Sequence, residues 1–388
     1  MNILVAHNHY QIAGGEDTVF ERETRLLEEY GHRVLRYERS NTELNDHGVA
    51  AKLLAPAEMI WSERTAEDVR RIIRMNGIDV VHVHNTLLRM SPSIYYAALN
   101  EGIPVVQTIH NFRLVCPAGI CYRNGRICED CLNHGLHCAL KHSCYRGSKA
   151  QTLASVLMSQ FHRATGIYKK LHYICLTEFN RDILLRQGQI RPEQIFVKPN
   201  SADDPGTPTP YEARKDQILF AGRLDESKGI RFLLETWKRM KTHPFQLLIA
   251  GSGPLEEECR AMIRQTEMTD AVMLGTLSHE AVLAVMKESK ALVLPTEWYE
   301  GLPMSLVEAM SCGTPVIVPA MGNAGNMVIE GVNGYTYEPK NPRSLQEAFQ
   351  KPLNLQNAVY GVFRENYTDN ANLAALEDIY QKVKGTVK

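Results

Sequence analysis

The sequence predicts an α/β protein built from two doubly wound, mostly parallel sheets in two domains of similar size. Three observations lead there. The chain has 388 residues, more than one core of ordinary size accommodates. Short apolar runs alternate with helical patterns from the first residue, which is the signature of strands joined by right-handed helical crossovers. The alternation is interrupted once, by Pro199-Asn-Ser-Ala-Asp-Asp-Pro-Gly-Thr-Pro-Thr-Pro210, a composition that favours a linker.

The elements follow in order. Met1–Asn8 is a short buried strand. After Gly14-Gly15-Glu16 a helical period runs through Val19, Phe20, Leu26 and Leu27 and stops before Gly31. Residues 32–37, 79–84, 103–110, 173–177 and 195–198 read as further strands, with a helix near Ser91–Asn100. Beyond the linker, residues 217–221, 245–250, 272–275, 291–295 and 315–319 are strands. Helices are expected at 229–241, 255–267, 279–288 and 304–311. Leu373, Leu376, Ile379, Tyr380 and Val383 share one helical face, so a terminal helix must pack on one of the domains. The resulting division is 1–200 with a cysteine-rich insertion at about 112–148, 201–365, and a terminal helix at 366–388, for which packing back on the first domain is one alternative and the sequence alone does not choose.

Lys and Arg total 43 and Asp and Glu 44, for a net charge of −1. That balance argues against a nucleic-acid coat, which needs excess cations, but allows a local basic site. No run approaches the ~20 apolar residues of a membrane span, and the start lacks the basic n-region of a signal peptide. A cytoplasmic protein is expected, with reduced thiols.

In open α/β sheets ligands bind beyond the carboxyl ends of the strands, so the candidate residues should follow strands. Gly14 and Gly15 do so and open a helix, where a phosphate is favoured. Arg223 and Lys228 follow the first strand of the second half; a guanidinium fork and an ammonium suit a diphosphate. Glu300 and Glu308 flank Gly301-Leu-Pro303 after a later strand. Carboxylates accept paired hydrogen bonds from vicinal hydroxyls, as on a ribose or a sugar ring. Together these groups suggest a sugar nucleotide.

In order and spacing, Gly14-Gly15-Glu16, Gly222-Arg223-Leu-Asp-Glu-Ser-Lys228-Gly229, Gly251-Ser-Gly-Pro and Glu300-Gly-Leu-Pro-Met-Ser-Leu-Val-Glu308 resemble the retaining glycosyltransferases of family 4. The resemblance implies a GT-B fold, two Rossmann-like domains facing across a cleft, and transfer without a metal. It implies a nucleotide-diphosphate sugar as donor and a glycan or lipid-linked acceptor, with contact at the inner face of the membrane. By motif match, Arg223 and Lys228 hold the diphosphate and Glu308 the ribose. Glu300 holds the donor sugar, Gly15 lets the first loop approach the diphosphate, and His110 lies beside the transferred sugar. The run Ala320-Met-Gly-Asn-Ala-Gly-Asn326 departs from the family's usual loop.

Six cysteines fall between Cys116 and Cys144. In a reducing compartment such a cluster points to metal. Cys128-Glu-Asp-Cys131 supplies one edge of a thiolate site, and Cys116 and Cys144 flank it, so the expected structural zinc set is Cys116, Cys128, Cys131 and Cys144. Cys121, Cys138, His134 and His137 stand in reserve. The wording around these cysteines resembles a subgroup of these transferases that builds bacterial surface polysaccharides. Two rival readings are a sugar-nucleotide epimerase of the same fold and a non-catalytic zinc-containing interaction protein.

Overall fold

The computed structural model describes residues 1–11, 14–43, 56–240 and 244–385. Two six-stranded sheets, all parallel, account for the two halves. In the first, β1 (Asn2–His9), β2 (Arg33–Ser40), β3 (Val80–Asn85) and β4 (Val105–Ile109) are followed by a small antiparallel hairpin, β5 (Tyr122–Arg123) and β6 (Arg126–Ile127). The sheet is completed by β7 (His172–Cys175) and β8 (Ile195–Val197), in the order β2-β1-β3-β4-β7-β8. The second sheet holds β9 (Lys215–Ala221), β10 (Gln246–Ala250), β11 (Ala271–Gly275), β12 (Ser289–Val293), β13 (Val316–Pro319) and β14 (Gly334–Tyr337), in the order β11-β10-β9-β12-β13-β14. Each order reverses direction once, between β1 and β3 and between β9 and β12, and loops at such reversals part to leave a crevice.

The chain divides into two compact units. One comprises Met1–Cys121, Glu129–Pro199 and the segment from Asn372; the other comprises Tyr122–Cys128 and Asn200–Ala371. The hairpin therefore belongs with the second sheet. Both sheets are covered on both faces, which is why their strands are continuous apolar runs rather than alternating ones: Ile3, Leu4, Val5 and Ala6 have no exposed surface.

In the first unit Ile3, Val5, Phe20, Val80, Val106 and Ile174 form one core with the terminal helix Asp369–Lys384. That helix contributes the five residues at 373, 376, 379, 380 and 383, all 3% exposed or less. Burying five large apolar side chains stabilises by about 10 kcal/mol as an upper bound. Its Tyr380 hydroxyl also bonds His82 Nδ1 on β3 at 2.7 Å. In the second unit Phe220, Leu233, Trp237, Ile249 and Phe349 anchor a separate core. Among the described residues, no helix is long and apolar enough to cross a membrane.

Candidate functional site

In the second unit the crossing point of the sheet brings two loops together. The loop after β9 turns through Arg223 and Asp225 into a single 3-10 turn, Glu226–Lys228, before the helix Ile230–Lys238. Asp225 organises it: Oδ1 accepts from the Ser227 hydroxyl (2.7 Å) and the Lys228 amide (3.2 Å), and Oδ2 pairs with Arg223 Nε at 3.3 Å. Gly229 ends the turn at φ 69°, and a Cβ there would lie 1.9 Å from the Pro295 carbonyl oxygen after β12. Only glycine permits that approach, and it sets the Lys228 loop directly on the Thr296–Glu300 loop. The Ser227 carbonyl then accepts from the Glu297 amide at 2.8 Å and the Thr296 hydroxyl at 3.2 Å.

This packing places Lys228 Nζ 2.7 Å from Glu300 Oε1, the oxygen that also accepts from the Thr296 hydroxyl at 2.9 Å. Glu300 is 6% exposed, whereas the Arg223 side chain is 60% exposed. Asn323, in the run that departs from the family loop, donates through Nδ2 to the carbonyls of Glu300 and Gly301 and so fixes the backbone that carries the carboxylate. Glu308 lies in the helix Met304–Ser311, partly exposed, with His279 Nε2 at 3.1 Å from its Oε1. Pro303 is the cap of this helix, one residue before its first turn.

The hairpin is tied to the same unit. Tyr122 donates its hydroxyl to Glu297 Oε2 (3.2 Å), Lys340 Nζ pairs with the same oxygen (3.1 Å), and Lys340 also bonds the Gly125 carbonyl. Arg126 and Ile127 then help line a cavity of about 220 Å³ with Thr296, Met321 and Tyr337, beyond the ends of β12, β13 and β14.

In the first unit Gly14 caps the helix Gly15–Glu29, and its amide donates to Asp17 Oδ2 at 2.6 Å. A Cβ on Gly15 would meet nothing within 4 Å. Packing does not demand that glycine; what it leaves is open approach to the helix start. His110 follows β4 and lies 3.0 Å through Nε2 from His84 Nδ1, the two rings stacked. His84 Nε2 faces Glu23 at 3.7 Å, and Glu23 is ion-paired with Lys198; Glu23, His84 and Lys198 are 3% exposed or less. This chain of buried groups behind His110 was not visible in the sequence.

Desolvation sets the protonation of these histidines. Burial pushes His110 down to about 3 and His82 to about 4, and holds His84 well below its ordinary value, while Glu23 raises the first two only partly. All three are neutral at pH 7. Glu16, beside Asn111, is pushed up by burial to about 7. A depressed histidine contributes stability that is present above its unfolded value near 6.5 and lost as pH falls toward its folded value. Glu16 works oppositely over the same window, since its folded value is raised. Three histidines against one carboxyl leave about two protons, so this cluster should cost on the order of 2.7 kcal/mol per pH unit between about pH 6 and pH 4.5. Urea midpoints measured across that window check it; a flat profile would show that these histidines are protonated in the fold.

In the cysteine segment the Cys121 thiol and the amides of Ala118, Gly119 and Cys121 bond the Cys116 sulfur and, against burial, bring it down to about 6. Burial, then Cys116, Cys144 and Cys138, push Cys131 up to about 12. Three of the expected ligands, Cys116, Cys131 and Cys144, are thus brought into one neighbourhood, together with Cys138; Cys128 ends the hairpin segment of the second unit. Mutual repulsion of this kind is what a bound cation relieves. Two groups of His, Cys, Asp and Glu have ligand atoms within 4.8 Å of one another among the described residues, His7-His9-Asp17 and Glu23-His82-His84, and neither draws on the cysteines.

Residues 13–204 match the family model described as Glycosyltransferase Family 4, and residues 209–372 match Glycosyl transferases group 1. An uncharacterized glycosyltransferase of Methanocaldococcus jannaschii is 32% identical over 339 residues, 84% of this chain and 78% of that one. The lipopolysaccharide 1,6-galactosyltransferase of Escherichia coli is 25% identical over 214 residues, 51% of this chain and 59% of that one. Among solved structures, Anabaena HepE in complex with UDP aligns with a TM-score of 0.69 at 15% identity, over 98% of this chain and 100% of that one.

Proposed function

The chain belongs to the glycosyltransferases of family 4, and from that premise we propose that it moves a sugar from a nucleotide-diphosphate sugar to a glycan or lipid-linked acceptor, with retention at the anomeric carbon, in bacterial surface-polysaccharide assembly. The observation that carries this reading is the Lys228–Glu300 pair at the crossing point of the second sheet, with the exposed Arg223 guanidinium on the same loop. Cleaving the bond between sugar and diphosphate throws negative charge onto the leaving group, and fixed cations there lower the barrier. Arg223 and Lys228 supply them. Glu300, relieved of Lys228 when a diphosphate arrives, is free to accept from sugar hydroxyls or to stabilise positive charge at the anomeric carbon. In the first unit, Gly14 and Gly15 are assigned to the diphosphate and neutral His110, braced by His84, to the transferred sugar.

Transfer assays with a panel of nucleotide sugars, with and without a glycan acceptor, test the reading. Acceptor-dependent release of nucleoside diphosphate supports it; conversion of the sugar without acceptor would favour the epimerase. An inverted linkage in the product would remove the retaining assignment.

Glu308 is assigned to the ribose hydroxyls. Glu308→Gln keeps shape but halves the charged acceptor capacity, so the dissociation constant of the free nucleoside diphosphate should rise about tenfold. Calorimetry checks this, and an unchanged constant would place Glu308 outside the nucleotide site.

A structural zinc is assigned to the cysteine segment, on Cys116, Cys131 and Cys144 with Cys138 as the fourth thiolate in place of the Cys128 expected from spacing. Four sulfurs close a tetrahedral site and leave no position for a reacting water, so its contribution would be to the fold of the segment. Metal analysis should find about one zinc per chain; chain purified without chelator that holds none would dispose of the idea.

A further inference from the structure

The helix Lys149–Ala164 buries Thr152, Ser155, Val156, Ser159 and His162 on one side. On the other it exposes Leu153 (45%), Leu157 (50%) and Phe161 (47%), spaced by four and therefore a single stripe. Trp61, also exposed, joins its end: the Trp61 ring lies 5.2 Å from that of Tyr96, and the Tyr96 hydroxyl bonds His162 Nδ1 at 2.9 Å. A soluble face of this kind is ordinarily polar, and clustered large apolar groups on one helix mark a surface that meets something.

The charge around it says what. From Cys131 to Thr177 the chain carries no Asp or Glu, while it carries Lys141, Arg146, Lys149, Arg163, Lys169 and Lys170, in a protein whose net charge is −1. Five of these six are exposed and Arg163 is partly so. Basic side chains flanking an apolar helical stripe match an anionic lipid surface, where the stripe enters the acyl boundary and the cations meet the headgroups. The acids near Trp61 do not cancel this: Glu63 is taken by Trp61 Nε1 (2.8 Å) and Arg70 (2.9 Å), and Glu58 by Arg89.

We propose that the helix Lys149–Ala164 docks the first unit on a membrane rich in anionic lipid, through Leu153, Leu157, Phe161 and Trp61, with Lys149, Lys169 and Lys170 at the headgroups. Binding is read without substrate, so this proposal and the transferase reading can fail separately.

The test is flotation of the full chain with phosphatidylglycerol-containing vesicles and with pure phosphatidylcholine vesicles, at low and high salt. Two variants accompany it, Leu157→Ser/Phe161→Ser and Lys169→Glu/Lys170→Glu. All four side chains are exposed, so melting should be unchanged. The chain is expected to float with anionic vesicles and much less with neutral ones. Each double variant should lower partitioning at least about tenfold, the basic one through roughly fivefold per cation and with a weaker salt dependence. Equal partitioning to both vesicle types, or of both variants and the parent, overturns the proposal. So does a dimer in vesicle-free buffer that Leu157→Ser/Phe161→Ser abolishes while vesicle binding persists, since the face would then belong to a second copy.

Discussion

Lys228→Ala is expected to lower kcat by about a hundredfold to a thousandfold while leaving the protein folded. The stability side follows from position. Lys228 is on a one-turn segment whose backbone is held by Asp225 and by the approach of Gly229 to Pro295, none of which needs the ammonium. The rate side has two parts. Leaving-group charge loses a fixed cation, the kind of loss that costs about 3–4 kcal/mol at a preorganised site. In addition, Glu300 keeps only the Thr296 hydroxyl on its Oε1, so the carboxylate loses the contact that positions it for the sugar. Arg223→Ala should lose rate through the first part alone, because its guanidinium pairs with Asp225 rather than with Glu300. Lys228→Arg, which keeps the charge but not the point geometry, should fall between. Steady-state kinetics decide this; a kcat within threefold of the parent in Lys228→Ala would take Lys228 out of the reaction.

What the sequence reveals of this arrangement depends on whether a residue's signal is local. Strands β1, β3, β9 and β12 are legible because a strand buried on both faces is an unbroken apolar run. Arg223, Lys228, Glu300 and Glu308 are legible because each lies at a fixed offset from such a run. The β14 strand is not: Gly334-Tyr-Thr-Tyr337 is only four residues long, and Gly334 is needed because a Cβ there would lie 2.0 Å from the Val316 carbonyl oxygen on the neighbouring strand. That contact is between strands and leaves no mark in the sequence of either. The helix Lys149–Ala164 escapes a periodicity reading because apolar residues occupy both of its faces. Asn323 looks like a departure from a motif and proves to hold the Glu300 loop. Cys138 reads as a reserve thiol by spacing, yet the fold sets it beside Cys131.

The groups behind His110 are the clearest case of non-local information. Glu23 sits eight residues into an amphipathic helix, where a carboxylate normally faces water, and Lys198 follows a strand, where a lysine normally marks the surface. Nothing within ten residues of either indicates that they are buried together. Their separation in sequence, 175 residues, is the reason.

Lys198→Met is accordingly expected to be the most damaging single substitution for stability, at about 3–5 kcal/mol. Lys198 has no exposed surface and Glu23 has 2%. Burial alone would drive Glu23 to its neutral form, but the Lys198 ammonium holds it below the ordinary carboxylate range, so it is charged at pH 7. Removing the ammonium leaves that charge in the core with His84 Nε2 at 3.7 Å and no cation to balance it. Glu23 must then take up a proton or draw one onto His84, which pushes charge against His110 through the 3.0 Å contact. The loss should therefore be larger above pH 7 than at pH 5, where a protonated Glu23 costs nothing further, and this is opposite in sign to the acid weakness expected of the three neutral histidines. Glu23→Leu alone should also destabilise, by stranding the ammonium. The double variant Glu23→Leu/Lys198→Met removes both charges and keeps the volume, so it should be more stable than either single variant and close to the parent. Urea unfolding of the four proteins at the two pH values measures the cycle. Additive losses would mean that the two residues are stabilised by water rather than by each other; a double variant near the parent means that the pair is retained for where it leaves His84 and His110, and its activity should fall even though its stability does not.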